Sequence, residues 1–423
     1  MATTPIPSLP PGTPDATASD PRALAWMQGA PPPRAQQVRF SDDPMFAFPQ
    51  LRWYLSNIRQ MMPTTNVWRG PGPTSVLAHA LRDDLDAVTF VPIGQRRPMT
   101  WAQSLDANYT DGIVVLHRGH IVYERYAGVL AAHVPHLTCS VTKSFTGTLA
   151  ASFAAEGLLD VAAPVIEYVP ELAQSGWGTA TVRQVMDMTT ALVYSEDYTK
   201  PDAEVWQHLR AGGFLARGAG YAGPDSYYDF LATVRPAGAH GRAYAYKTVN
   251  TDVLGWIVRR LSGKSLGETL SERIWAPMGA EQDAYLTVDA EGTEFAGGGL
   301  CCVLRDLARF GETMRGGGWF NGRQIIPEAA VADILAGGLA SDFAQGGYPL
   351  LPGWSYRNMW WISHNAHGAY TARGIHGQAI WVDPVAEMVI ARFASHPRAA
   401  NANLDPTSLP AYDALARHLM GER

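Results

Sequence analysis

The stretch His136-Leu-Thr-Cys-Ser140-Val-Thr-Lys143-Ser-Phe145-Thr-Gly-Thr-Leu149-Ala-Ala-Ser-Phe153-Ala-Ala-Glu-Gly157 changes its period part-way along. His136 to Thr138 reads as a short extended run, whereas Phe145, Leu149 and Phe153 recur four apart, the spacing of a helix. Gly157 supplies the residue that can end such a helix. Ser140 and Lys143 then sit one turn apart on the same side of the helix start. A serine there has oriented backbone N–H groups nearby, and an amine within reach can accept or relay its proton. The chemistry that such a pair offers is acyl transfer through a serine ester.

A serine three residues before a lysine is a short pattern. Its weight here comes from composition, because Lys143, Lys200, Lys247 and Lys264 are the only lysines in the 423-residue chain. Outward from this helix, Ile113–Leu116 and Ile121–Tyr126 flank a turn at Arg118-Gly119-His120 and predict a β-hairpin. A second hairpin is predicted from Ala379–Val382 and Met388–Phe393 around Asp383-Pro384. Between them the spacing turns helical over Val182–Met188, Val253–Leu261 and Leu304–Met314. Strands near both ends and helices between them imply an α+β fold in which the terminal segments share one antiparallel sheet. The expected organisation is a Pro/Ala-rich arm over 1–40, an α/β sheet domain over 41–155 together with 288–423, and a helical domain over 156–287, with the active site between them.

A net charge of -6, with only 17% charged residues, excludes the basic footprint of a nucleic-acid binder. Three cysteines cannot build a disulfide framework, and no spacing suits a structural metal. The first residues lack a basic stretch followed by an apolar run, so no secretory signal is expected. No apolar stretch approaches the roughly 18 residues of a membrane span. A soluble, cytoplasmic protein with no membrane partner is the expectation.

Two further segments carry groups that suit the same chemistry. Tyr246 lies just ahead of a helical run, with Asn250 placed to cap it, and ammonium groups near a tyrosine would favour its phenolate. Thr371-Ala-Arg-Gly374-Ile375-His376-Gly377-Gln378 opens the last hairpin, where glycines let a backbone N–H approach an acyl oxygen. Read singly, Tyr246 could equally be a packed aromatic, and His376 an ordinary polar residue of a bulge.

Together these elements resemble the penicillin-recognising serine hydrolases of the class C β-lactamase type, and among them the 6-aminohexanoate-dimer hydrolases. The resemblance spans about residues 100 to 420 and includes Glu156-Gly-Leu-Leu-Asp160, Thr181-Val-Arg-Gln-Val-Met-Asp-Met-Thr189, Gly297-Gly-Gly-Leu300 and Arg305-Asp-Leu-Ala-Arg-Phe310. It implies a β-lactamase/transpeptidase-like fold: an antiparallel sheet flanked by helices, with an inserted all-α domain. It also implies Ser140 as nucleophile, Lys143 as its partner, Tyr246 as general acid/base, and the N–H groups of Ser140 and Ile375 as an oxyanion hole. Substrate contacts fall to Tyr198, Asn250 and His376, in Tyr194-Ser-Glu-Asp-Tyr198, Asn250-Thr-Asp-Val-Leu254 and Gly374-Ile-His-Gly-Gln378. No cofactor or metal is implied, and the partner is a small amide or ester, with a homodimer compatible. Where lactamases carry Y-x-N and K-T-G, this chain has Tyr246-Lys247-Thr248 and Ala372-Arg373-Gly374, which weakens the case for a β-lactam carboxylate although Arg373 could supply a cation.

The expected activity is therefore cleavage of linear amides such as 6-aminohexanoate oligomers through an acyl-enzyme, with side esterase activity. A carboxylesterase of the same fold and a non-catalytic, penicillin-binding-like protein are the alternatives. Gly263-Lys264-Ser265-Leu266-Gly267 also satisfies the nucleophile-elbow pattern G-x-S-x-G, but it follows an amphipathic helix instead of a buried strand and reads as a helix-to-helix turn.

Overall fold

The computed structural model describes residues 9–421. Its largest sheet has seven antiparallel strands, drawn from both halves of the chain. The strands that matter below are β1 (Thr64–Val67), β2 (Thr110–His117), β3 (His120–Tyr126), β4 (His136–Leu137), β5 (Ala284–Thr287), β6 (Leu300–Cys302), β7 (Ser355–Arg357), β8 (Trp360–Ile362), β9 (Tyr370–Arg373), β10 (Ala379–Asp383) and β11 (Met388–Ala394). The large sheet runs β7-β8-β9-β10-β11-β2-β3. Both predicted hairpins are present, and β11 joins them through pairs such as Ile390 with Val115.

Every residue of β11 is buried, because both faces of the sheet are covered. On one face α5 (Leu304–Arg315) packs against Ile380 and Val389, with Gly311 at the contact. On the other, α6 (Asp405–Met420) sets Tyr412 against Trp381 at 5.5 Å and beneath the guanidinium of Arg392. Strand alternation separates these two sets of side chains. Each fully buried aliphatic side chain in this layer contributes roughly 1.5–3 kcal/mol.

The helix that follows Ser140, α1 (Thr142–Ala155), is buried along nearly its whole length, more completely than an amphipathic pattern implies. Its polar residues are bonded within the core: Ser144 Oγ donates to Met359 O at 2.8 Å, Thr146 Oγ1 to Ala296 O at 3.0 Å, and Thr148 Oγ1 accepts from Trp360 Nε1 at 3.1 Å. Gly157, at φ +74°, follows its C-cap as expected. Between α1 and β5 lie further helices including α2 (Val182–Met186), α3 (Glu204–Ala211) and α4 (Val249–Ser262). The G-x-S-x-G segment is indeed a turn between helices, with Gly263 left-handed at φ +66° and Ser265 capping the next helix.

Two expectations need correction. Residues 284–287, placed in the helical segment, form β5, which pairs with β1 and β6 in a second sheet of order β1-β5-β6-β4. Four residues or fewer per strand leave too little periodicity to read. Asn250 does not cap α4: Thr248 occupies the N-cap, and Asn250 is buried in the first turn, accepting from Trp177 Nε1 and Thr190 Oγ1, both at 2.9 Å. Of the expected arm, residues 1–8 lie outside the described residues. The remainder lies against the sheet domain, with Tyr109 donating to Pro14 O and Arg52 Nη1 to Ser19 Oγ, both at 2.9 Å.

A Cβ on Gly147 would stand 2.2 Å from Asn358 O, so α1 can press on the β7–β8 turn only through a glycine. Gly147→Ala is expected to lower unfolding free energy by about 1–3 kcal/mol, as overpacking does. Chemical denaturation with an unchanged m-value checks this.

Candidate active site

Ser140 lies in a single 3-10 turn, Cys139–Val141, wedged between β4 and α1. Cys139 has φ +48°, an unusual conformation for a residue with a side chain, and such strain persists only when the surroundings over-determine it. They do: Thr138 N donates to Leu300 O at 2.8 Å, Thr142 Oγ1 donates to Cys139 O at 2.7 Å, and Thr142 Oγ1 accepts from Leu300 N at 3.1 Å. The turn is thereby tied to β6 and presents Ser140 to a cavity of about 730 Å³.

Behind Ser140 stands Lys143, 1% exposed. Its Nζ is 2.8 Å from Ser140 Oγ and donates to Gly297 O at 2.6 Å. Burial pushes its amine down to about 8, although the charges of Glu196 and Asp252 pull the other way. Near neutrality a useful fraction is therefore free base beside the serine hydroxyl.

Tyr246 lines the same cavity, and the Lys143 amine lies 5.1 Å from its ring centre. The expectation of a favoured phenolate is reversed. Burial, then Tyr356 and Glu196, raise its hydroxyl well above the usual range, and only contact with the Ser140 side chain lowers it. Tyr246 is thus a phenol that can pass a proton on, and Lys143 is the better resting base.

Ile375 faces Ser140 across the cavity wall. Gly374 makes that approach, since a Cβ there would lie 2.7 Å from Thr138 O and 3.1 Å from Cys139 Cβ. The flanking N–H groups are engaged, Gly374 with Gln378 O and His376 with Ala399 O, whereas those of Ile375 and Ser140 have no backbone acceptor among the described residues. Two free donors beside a serine hydroxyl can hold a developing oxyanion.

Tyr198 is also brought to the cavity, stacked on Phe46 with ring centres 5.6 Å apart. Its hydroxyl donates to Glu196 Oε1 at 3.0 Å, and burial and Glu196 keep it protonated by raising it well above the usual range. His376 and Asn250 are not brought there. His376 is buried at φ +62°, with Nδ1 2.7 Å from His396 O, and burial lowers its imidazole to about 4. It holds the turn that carries Ile375. Asn250 likewise holds Trp177 and Thr190.

The cavity also contains Glu196 and Asp405, to which the motifs assign no role. Glu196 accepts from Thr248 N and Thr248 Oγ1, both at 2.7 Å, fastening the Tyr198 loop to the start of α4. Arg373 pairs with Asp405 and lies 5.1 Å from the Trp361 ring centre. Glu196 sat inside the quoted Tyr194–Tyr198 motif, whereas the Arg373–Asp405 pairing had no local signal. Among the described residues no group of three or more acidic, cysteine or histidine side chains could hold a metal ion.

The β-lactamase family model matches residues 103–409. The chain belongs to the beta-lactamase family. As a member it is a serine hydrolase. It is 37% identical over 350 residues to the 6-aminohexanoate-dimer hydrolase of Paenarthrobacter ureafaciens, covering 82% of this chain and 86% of that one. A Bacillus anthracis structure described as a candidate 6-aminohexanoate-dimer hydrolase superposes with a TM-score of 0.84 at 32% identity, covering 93% of this chain and 100% of that one. A family VIII carboxylesterase shares the fold at a TM-score of 0.56 and 18% identity, over 74% of this chain and 95% of that one.

Because the neutral amine is the form that accepts a proton, phosphonylation of this family member by a fluorophosphonate should quicken as pH rises through about 8 and level off above it. Rates measured by intact-mass spectrometry between pH 6 and 10 check this; a flat profile would remove Lys143 as the base.

Proposed function

We propose that this enzyme hydrolyses linear amides resembling short 6-aminohexanoate oligomers through a Ser140 ester, with side activity on esters. The observation that carries the reading is the 2.8 Å contact between Ser140 Oγ and the buried amine of Lys143, at the edge of a cavity shared with Tyr198. Lys143 takes the hydroxyl proton as Ser140 attacks the carbonyl carbon. The N–H groups of Ser140 and Ile375 hold the oxyanion. Tyr246 relays a proton toward the leaving group, and Tyr198 donates a hydrogen bond to the departing nitrogen, turning its hydroxyl from Glu196 as that nitrogen gains basicity. Water then attacks the ester by the reverse relay.

Arg373 shares its charge with Asp405, so it is a poorer anchor than a free lysine for a β-lactam carboxylate. That favours an open-chain substrate. The cysteines Cys139, Cys301 and Cys302 are free and buried, which suits a cytoplasmic setting, also part of the proposal. Among the described residues no helix is long and apolar enough to cross a membrane.

Ser140→Ala and Lys143→Ala should each abolish turnover of a 6-aminohexanoate dimer and of a p-nitrophenyl ester while thermal unfolding stays cooperative. Activity near wild type in the serine variant would end the assignment.

Tyr198→Phe separates amide from ester chemistry. An amine must be protonated as it leaves, and p-nitrophenolate need not be. The variant should lose about 10- to 1000-fold in kcat/KM on the amide and far less on the ester. Parallel losses would replace the amidase reading with that of a carboxylesterase.

A further inference from the structure

Beneath the active site lies a buried pair that the steps above do not use. His208, on α3, is fully buried, and its Nε2 is 2.9 Å from Oδ2 of Asp252, on α4. Neither atom makes a hydrogen bond among the described residues, even with the other, so the contact is one of proximity. The other imidazole nitrogen, Nδ1, is 3.1 Å from Tyr194 OH. Tyr227, Phe230 and Phe295 enclose the ring with centres 5.0–5.8 Å from one another or from it. A charged or strongly polar pair is costly to bury unless its geometry serves something, and four aromatic neighbours offer no compensating water.

What it serves lies on the far side of the carboxylate. Asp252 Oδ1 accepts from Gly297 N at 3.1 Å, and Gly297 O accepts from Lys143 Nζ at 2.6 Å. Asp252 therefore fixes the one residue that holds the amine from behind, with His208 packed against its other oxygen, while Ser140 Oγ meets the amine in front. We propose that Asp252 and His208 are positioning residues for Lys143: through Gly297 they hold the amine on Ser140, and the Asp252 charge sets the pH at which that amine becomes a proton acceptor. The inference rests on the Ser140–Lys143 reading.

The groups that face Lys143 are few. Glu196 approaches from the Tyr198 loop, Asp252 from α4, Cys139 from its own turn and the Tyr246 ring from the segment before α4. Cys139 is a neutral thiol, because burial raises it beyond the working range. Around Asp252 the facing groups are His208 from α3, Tyr194 from the loop before α3, and Tyr227 and Tyr228 from the helix Tyr227–Thr233, all three tyrosines being held protonated by burial. Two carboxylates thus act on the amine, and only Asp252 is coupled to it through a shared backbone residue. An anion in a poorly screened interior stabilises the ammonium form, so removing it makes the amine give up its proton at lower pH.

Asp252→Asn keeps the size and an acceptor for Gly297 N–H but removes the charge. Asp252→Ser also removes the charge, with a shorter side chain. In fluorophosphonate labelling of Ser140, either folded variant should show its rising limb displaced to lower pH by about half a unit or more, with a reduced plateau. Glu196 remains in both, so the limb persists. A lower plateau with the limb unmoved would mean a merely structural role and would overturn the inference. So would a wild-type profile with no limb between pH 6 and 10, since there would be nothing to set. Absence of any adduct at Ser140 in folded wild-type protein would instead overturn the functional reading beneath it.

Discussion

An amine cut off from solvent, with a backbone carbonyl on one side and a serine hydroxyl on the other, is the constraint that the rest of this molecule satisfies. Lys143 can be buried only if α1 is surrounded, and α1 is surrounded only because Gly147 lets the β7–β8 turn touch its backbone. The carbonyl that faces the amine, Gly297, is held from α4 by Asp252. The hydroxyl is aimed by a strained turn at Cys139, itself bonded to β6 and pressed by Gly374 at the end of β9. Both sheets and the helical segment thus converge on a few ångströms of space around one nitrogen.

That convergence has an electrostatic logic. Burial weakens the ammonium form, while two nearby carboxylates restore part of its stability, and the balance leaves the amine titrating near the working pH of most enzymes. The surrounding tyrosines follow a simpler rule. They are buried beside carboxylates, so they stay neutral and keep a proton to donate.

Much of this could be read from the chain alone. The two hairpins are β-rich runs around turn residues, and the helix after Ser140 announces itself by a four-residue repeat and a terminal glycine. Ser140, Lys143, Tyr246, Ile375 and Tyr198 meet at one cavity because each lies in a short motif whose order along the chain is informative. His376 and Asn250 sat in equally suggestive motifs, yet their side chains hold the backbone that bears other groups; a motif records which residues are needed, without saying whether they face the cavity or the core. The His208–Asp252 pairing, the Arg373–Asp405 pairing and the short strands of the second sheet were illegible. Each depends on contacts between segments distant in sequence, and no local period marks them.

The wall behind Tyr198 comes from outside the family match. Met45 and Phe46 line a narrow extension of the cavity beside Ser140, and Phe46 also meets Trp206 edge-on at 4.8 Å. The residues that line the main cavity all fall within residues 103–409, whereas Met45 and Phe46 belong to a segment that precedes them. One small part of the substrate-facing surface is therefore written outside the stretch that the family shares, and that part can drift on its own. Exchanging the leading segment would leave the main cavity as it is and reshape only the narrow recess beside Ser140.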